Sequence, residues 1–397
     1  MKTSPETEKI MELLISEIKK YIVEENDQAY IWDPYYNIKR NRVNAEFLKT
    51  LIRLDQDRAL CKKILKFIII NQNNDGSWNE VHPNYNKPSA LITAIIGDTL
   101  VLCSDMLSDS GTVEKAKDYV LSKESNGFFL KSNGYTADHL NVDATCGAFL
   151  AAYGKKFGDE DCLKVAERTA KHIVSKQSTN GSFPYTINKG NYSHKLDVPC
   201  IHYQGVTLYY LSKIHDVLGV EWLKKSLLDG NKWLSSVQRK NGKFDWSKSG
   251  LMFAYYLSGA YGFAYASFLY MSALEHNFDN NAYKSLMILK KNVNMVMLRW
   301  ETDRWINFPY SIIISVQTSL LGNYPVKYRL FRLGYGLYRQ FARRRYSESL
   351  DDRTFNILVK LLKMDVSTIE PFNNYNDLFM TSEVMDCLSY SIRKEIK

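Results

Sequence analysis

The chain has 397 residues, 45% of them apolar and 24% charged, with a formal charge of +9. This balance excludes a disordered polymer, a collagen-like fibre and a small disulfide scaffold, and it suits a globular protein with a sizeable core. Aromatic residues reach 13%, including 27 tyrosines, whose flat faces and hydroxyls suit polar ligands as well as helix packing.

The first residues, MKTSPETEKIMELL, are polar and lack the apolar stretch of a secretion signal, so a cytoplasmic location is expected. Ile10, Leu13, Leu14, Ile18 and Tyr21 then recur at three- and four-residue steps, which predicts an amphipathic helix over 5–23. A second helix is predicted over 44–71. It runs into the phrase QNNDGSW at 72–78, which returns as QSTNGSF at 177–183, as QRKNGKF at 238–244 and, shortened, as NGFF at 126–129.

The glycines of these phrases, Gly76, Gly127, Gly181 and Gly242, stand 51, 54 and 61 residues apart. That period signifies one repeated supersecondary unit. Asn-Gly and Asp-Gly supply the left-handed geometry that stops a helix and turns the chain. The aromatics Trp78, Phe128, Phe183 and Phe244 are expected to plug the gaps between helices. Gln72, Gln177 and Gln238 are expected to hydrogen-bond helix-end carbonyls.

Between phrases the helices pair: 89–107 with 112–124, 139–155 with 159–177, 200–217 with 220–238, and 251–275 with 280–299. The first helix of a pair, such as DATCGAFLAAY at 143–153, is apolar or small all round, whereas the second is striped. All-round apolar helices belong inside and striped ones outside. Further helices are predicted at 310–322, 326–345, 353–364 and 378–393. The expected fold is therefore all-α: about six hairpins in an inner and an outer ring, an (α/α)6 toroid. It forms one domain over 1–397, with divergent last hairpins at 301–397.

The uncharged run 249–274 is long enough to span a bilayer, yet it is dense in Tyr, Gly and Ser and reads as a buried inner helix. Six scattered cysteines without a CxxC pair read as buried thiols in a reducing compartment. Residues 327–345 hold seven basic side chains and no acid, either a solvated helix face or a peripheral contact with an anionic surface. No nucleic-acid motif accompanies them.

The unit NVDATCGAFLAAYG…VAERTAKHIVSKQSTNGSFPY resembles the repeat of squalene-cyclase and protein-prenyltransferase toroids, whose QW-type phrase is close to QNNDGSW. It is also similar to six-hairpin glycosidase-like enzymes, among them unsaturated glucuronyl hydrolases, polysaccharide lyases and sugar epimerases. The resemblance spans about residues 45–300 and implies a toroid with its ligand site where the inner helices begin.

Two polar clusters fall at that end. One holds Tyr135, Asp138, His139, Asn141 and Asp143. The other holds His194, Asp197, Cys200, His202, Tyr203 and Gln204, and the two match when aligned on Gly147 and Gly205. Tyr255, Tyr256 and Tyr261 would add aromatic walls. An enzyme that moves a proton beside a uronic-acid carboxylate needs a base, an acid and a group to hold that carboxylate. His202 and Tyr203 suit the first two roles, and His139, Asn141 and Gln204 the third, with Asp197, Tyr256 and Tyr261 also binding substrate. A hydrolase would instead use Asp143 as general acid/base, with Asp197 as the second carboxylate.

The expected function is thus lyase, epimerase or hydrolase chemistry on an acidic saccharide, with no cofactor. Asp197, Cys200 and His202 are zinc-type donors, but Cys200 reads as a packed thiol and no metal is expected. Two alternatives stay open. A terpene or prenyl cyclase would keep only Asp143 of the usual acidic phrase, and a non-catalytic toroid would bind a glycan or a partner. Nothing in the sequence marks an oligomeric state.

Overall fold

The computed structural model describes residues 5–34, 37–82, 85–134, 137–187, 199–238 and 378–396, with the single residues 240 and 284. Ten α-helices lie among them: α1 (Pro5–Lys19), α2 (Asn41–Arg53), α3 (Arg58–Ile70), α4 (Ala90–Leu102), α5 (Gly111–Leu121), α6 (Leu140–Phe157), α7 (Glu160–Ser175), α8 (Ile201–Leu218), α9 (Glu221–Ser236) and α10 (Leu378–Ile396). The fold is the expected (α/α)6 toroid. Helices α10, α2, α4, α6 and α8 pack one against the next as an inner layer. Each carries an outer partner: α1 on α10, α3 on α2, α5 on α4, α7 on α6 and α9 on α8. The pair α1–α10 joins segments from the two ends of the chain and forms one end of the described arc.

Three short antiparallel sheets add to the helices. They are β1 (Ile22–Glu25), β2 (Gln28–Asp33) and β3 (Ile38–Lys39) in that order, the hairpin β4 (Asn79–His82) with β5 (Tyr85–Pro88), and the hairpin β6 (Glu124–Ser125) with β7 (Phe128–Phe129). They occupy the connections that lead from an outer helix to the next inner one. The helix expected over 44–71 is in fact two. The chain leaves α2 at Leu54 and turns through Asp55 and Asp57, both at positive φ, and Asp57 caps α3 by accepting from Leu60 N–H. LDQD supplies the acidic turn residues that tolerate this geometry.

The repeated phrase does more than end a helix. Gly76, Gly127 and Gly181 all have positive φ but stand six residues beyond α3, α5 and α7. A Cβ on Gly76 would lie 2.3 Å from Lys115 O, and one on Gly181 would lie 2.1 Å from Asp229 O. These two phrases therefore lie directly against the backbone of the next outer helix, closer than any side chain permits. The glutamines do not cap their own helices as expected. Gln72 Nε2 donates to Gly76 O and Thr112 O, and Gln177 Nε2 to Gly181 O and Ser226 O, so each pins its turn to the neighbouring outer helix. Trp78, Phe129 and Phe183 are the buried plugs; in the second copy that place belongs to Phe129, not to Phe128. The copy at 238–244 lies outside the described residues.

All six cysteines are buried and none forms a disulfide. No described helix is long and apolar enough to cross a membrane. The runs 249–274 and 327–345 lie outside the described residues.

Candidate functional site at the N-terminal end of the inner ring

Position along each inner helix decides what a side chain meets. The second residue of α2, α6 and α8 is Arg42, Asn141 and His202, and the fourth residue of α4, α6 and α8 is Thr93, Asp143 and Gln204. Two steps along a helix turn the direction by about 200°, so these sets point opposite ways.

The fourth-position set faces the outer layer. Thr93 Oγ1 accepts from Trp78 N–H at 3.0 Å, Asp143 Oδ1 from Phe129 N–H at 2.6 Å and Gln204 Oε1 from Phe183 N–H at 2.7 Å. One structural job, holding the plug of the phrase, is done three times by three residue types. Asp143 is wholly buried, and burial with the adjacent Asp138 raises its carboxyl well above the ordinary range. Asp138 also meets His172 Nε2 at 2.8 Å.

The second-position set faces the ring's interior. Arg42 donates to Glu46 at 2.8 Å and pairs with Glu383 of α10, while Glu46 accepts from Ser382 Oγ at 2.6 Å. His202 Nε2 lies 3.9 Å from Glu383 Oε2. The imidazole is buried, and burial followed by the Arg42 charge pushes its pKa down to about 3, so it is neutral near pH 7. His139, the residue before α6, is likewise buried, and burial first and Lys131 second lower it to about 3.

A row of rings joins the two histidines. Tyr185 stacks on Tyr203 at 4.1 Å between centroids and 15° between planes. His139 stands edge-on to Tyr185 at 4.9 Å, and His202 edge-on to Tyr203 at 4.8 Å. The segment carrying Tyr185 is held in place by the His139–Thr186 bridge and by Ile187 N–H donating to Asp138 O. Cys200 precedes α8 and is a buried thiol.

The inward stripe continues down the ring. Lys49, Asp98 and Asp386 are each the ninth residue of their helix, and Arg53 and Lys213 the thirteenth. Lys49 meets Asp98 at 2.8 Å and Asp386 at 3.2 Å, Arg53 meets Asp386 at 2.6 Å, and Lys213 pairs with Asp98. Burial lowers Lys213 to about 8 against the pull of Asp98, whereas the cations around Asp98 hold its carboxyl far below the ordinary range.

Sequence reasoning placed Asn141, His139, His202, Tyr203, Gln204 and Asp143 at one end of the ring, and all six lie there. Only the inward and outward faces separate them. Asp197, His194, Tyr135, Tyr255, Tyr256 and Tyr261 lie outside the described residues. Tyr185, Glu46, Glu383 and Arg42 were missed. A signal existed: Arg42, Glu46, Lys49 and Arg53 recur at steps of four, three and four, a polar stripe down one face of α2.

No protein-family model and no curated protein matches the sequence. Solved structures do. Cellobiose 2-epimerase from Bacillus thermoamylovorans aligns with TM-score 0.57 and 12% identity over 73% of this chain and 87% of its own. A D-mannose isomerase aligns with TM-score 0.56 and 12% identity over 76% and 88%. An α-1,6-mannanase from Salegentibacter sp. HEL1_6, an inactive variant bound to α-1,6-mannotriose, aligns with TM-score 0.53 and 13% identity over 71% and 85%. At such identities the likeness carries the fold.

Proposed function

We propose that the chain is a carbohydrate-active enzyme that moves a proton on a sugar at the N-terminal end of the inner ring, as an epimerase or isomerase does. The ring row His139–Tyr185–Tyr203–His202 is the observation that carries this reading. Flat aromatic faces suit the C–H face of a sugar, and a neutral imidazole at each end offers a group that can take a proton. His202 would act as base once a bound sugar offsets the burial and the Arg42 charge that hold its pKa near 3, and Glu383, 3.9 Å away, would stabilise the imidazolium once formed. Tyr203 would be the acid, returning a proton through its hydroxyl. His139 and Asn141 would orient hydroxyl groups. Asp143 and Gln204 would position the ring row from behind, through the turns they hold, instead of touching sugar. Carbohydrate-binding and carbohydrate-converting proteins of the same fold support the substrate class.

A uronic-acid substrate needs a cation to meet its carboxylate. Among the described residues at this end, Arg40 pairs with Asp33 at 3.5 Å, Arg42 with Glu46 and Glu383, and Lys131 with Glu80 at 2.8 Å. A neutral sugar fits these pairs better than an acidic one. A carbocation cavity fits less well still, because His139, His202 and Glu383 would quench a cation.

Neutral aldoses and disaccharides, and separately unsaturated uronides, should be incubated with the protein in D2O and followed by proton NMR. Deuterium is expected to replace the hydrogen beside the carbonyl of a neutral sugar. His202→Asn should cut that exchange at least a hundredfold while the melting temperature stays within a few degrees. Turnover of uronides alone would overturn the neutral-substrate reading, and full exchange in His202→Asn would overturn the assignment of the base.

A further inference from the structure

Behind the ring row lies a second cluster that the proposed sugar chemistry does not use. Asp138, Asp143 and His172 come from the approach to α6, the outward face of α6 and the outer helix α7. Each presents one donor atom, and the three atoms lie within 4.8 Å of one another. His172 Nε2 is 2.8 Å from Asp138 Oδ2. Asp143 Oδ1 accepts from Phe129 N–H, whereas Asp143 Oδ2, on a side chain with no exposed surface, meets no N–H or hydroxyl donor among the described residues and has the Asp138 carboxyl as its neighbour. No described lysine or arginine acts on Asp143.

Two carboxyl groups side by side in a dry layer repel unless something positive lies between them. A proton can do this, and so can a metal ion. Two carboxylate oxygens and an imidazole nitrogen are a donor set for zinc or manganese, whereas calcium prefers oxygen alone.

We infer that Asp138, Asp143 and His172 bind one divalent transition-metal cation, which ties outer helix α7 to the start of inner helix α6. Donors on one ion at about 2.0–2.2 Å stand roughly 3–3.5 Å apart, so the 2.8 Å contact of His172 with Asp138 must open a little and any separation near the 4.8 Å limit must close. His172 is half-buried and can rotate to close the gap. Such an ion would also fix the Asp138–His139 backbone on which the ring row hangs. The inference is independent of the sugar reading, since a structural cation can serve any activity.

Full-length protein should be purified without chelator and its metal content measured by mass spectrometry. A chelator-treated sample should then be titrated with ZnCl2 or MnCl2 alone while its melting temperature is followed. One ion per chain and a metal-dependent rise in melting temperature are expected. Asp143→Asn keeps an acceptor for Phe129 N–H, and His172→Ala changes a side chain on the outer layer. Each should weaken binding at least tenfold. If Asp143→Asn does not fold, His172→Ala decides alone. No metal and no rise in melting temperature would mean that the carboxyl pair shares a proton only. Equal affinity in the variants would mean an ion bound elsewhere. Either result overturns the inference.

Discussion

At His202 the decisive quantity is burial. The folded imidazole is pushed to about 3 from an unfolded value of 6.5. Between these values the unfolded chain binds the extra proton and the folded one does not, so stability falls as pH drops through that window. Acid unfolding of wild type should therefore begin below about pH 6.5, and His202→Asn should flatten part of that slope. Equal slopes for the two proteins, measured by denaturant titration at pH 4 and pH 7, would show that His202 is not held neutral. Asp143 illustrates the opposite lesson about a residue. Its place at a helix start suggested a catalytic acid, but its Oδ1 does what Thr93 and Gln204 do elsewhere, accepting a backbone N–H from the phrase.

The repeating element is a turn that joins outer helices. Gly76 and Gly181 combine positive φ with a backbone carbonyl 2.1–2.3 Å from where a Cβ would sit. Alanine at either should cost more than about 2 kcal/mol, because strain and overlap add. At Gly127 the nearest atom to an added Cβ, His172 Cβ, is 3.2 Å away, and alanine should cost less. Thermal or urea melts of the three single variants would check the order, and a Gly127 variant that is the least stable of the three would contradict it. Gln72→Ala and Gln177→Ala should each cost about 1–3 kcal/mol, since the carbonyls that each glutamine bridges lose their donor.

Across the whole molecule, a buried charge network holds the arc together. Asp386 of α10 reaches Lys49 and Arg53 of α2, while Asp98 of α4 reaches Lys49 and Lys213 of α8. Four inner helices thus share one chain of ion pairs, and Tyr390 of α10 donates to Asp216 of α8 at 2.6 Å. Removing one member strands a buried charge. Asp386→Ala should therefore destabilise by about 3–5 kcal/mol, and a double variant that also removes the Lys49 charge should recover part of the loss. Additive losses in the two single variants and the double would show that the pair is not coupled.

The sequence by itself determined the ring. The 51- and 54-residue steps between phrase glycines, the alternation of all-round apolar with striped helices, and the clustering of polar residues at inner-helix starts are local or periodic signals, and they survive without coordinates. Helix phase within one element was also legible, because 3.6 residues per turn sets Asn141 opposite Asp143 and His202 opposite Gln204. Which of those faces meets the axis was not legible, since a helix apolar all round gives no stripe to orient it. Only the tertiary structure put Glu383 beside His202 from 181 residues away, laid Tyr185 on Tyr203, and brought His172 from another helix to Asp138. Contacts of that kind depend on how rigid helices dock, and docking is fixed by packing across the entire ring, not by any run of neighbouring residues.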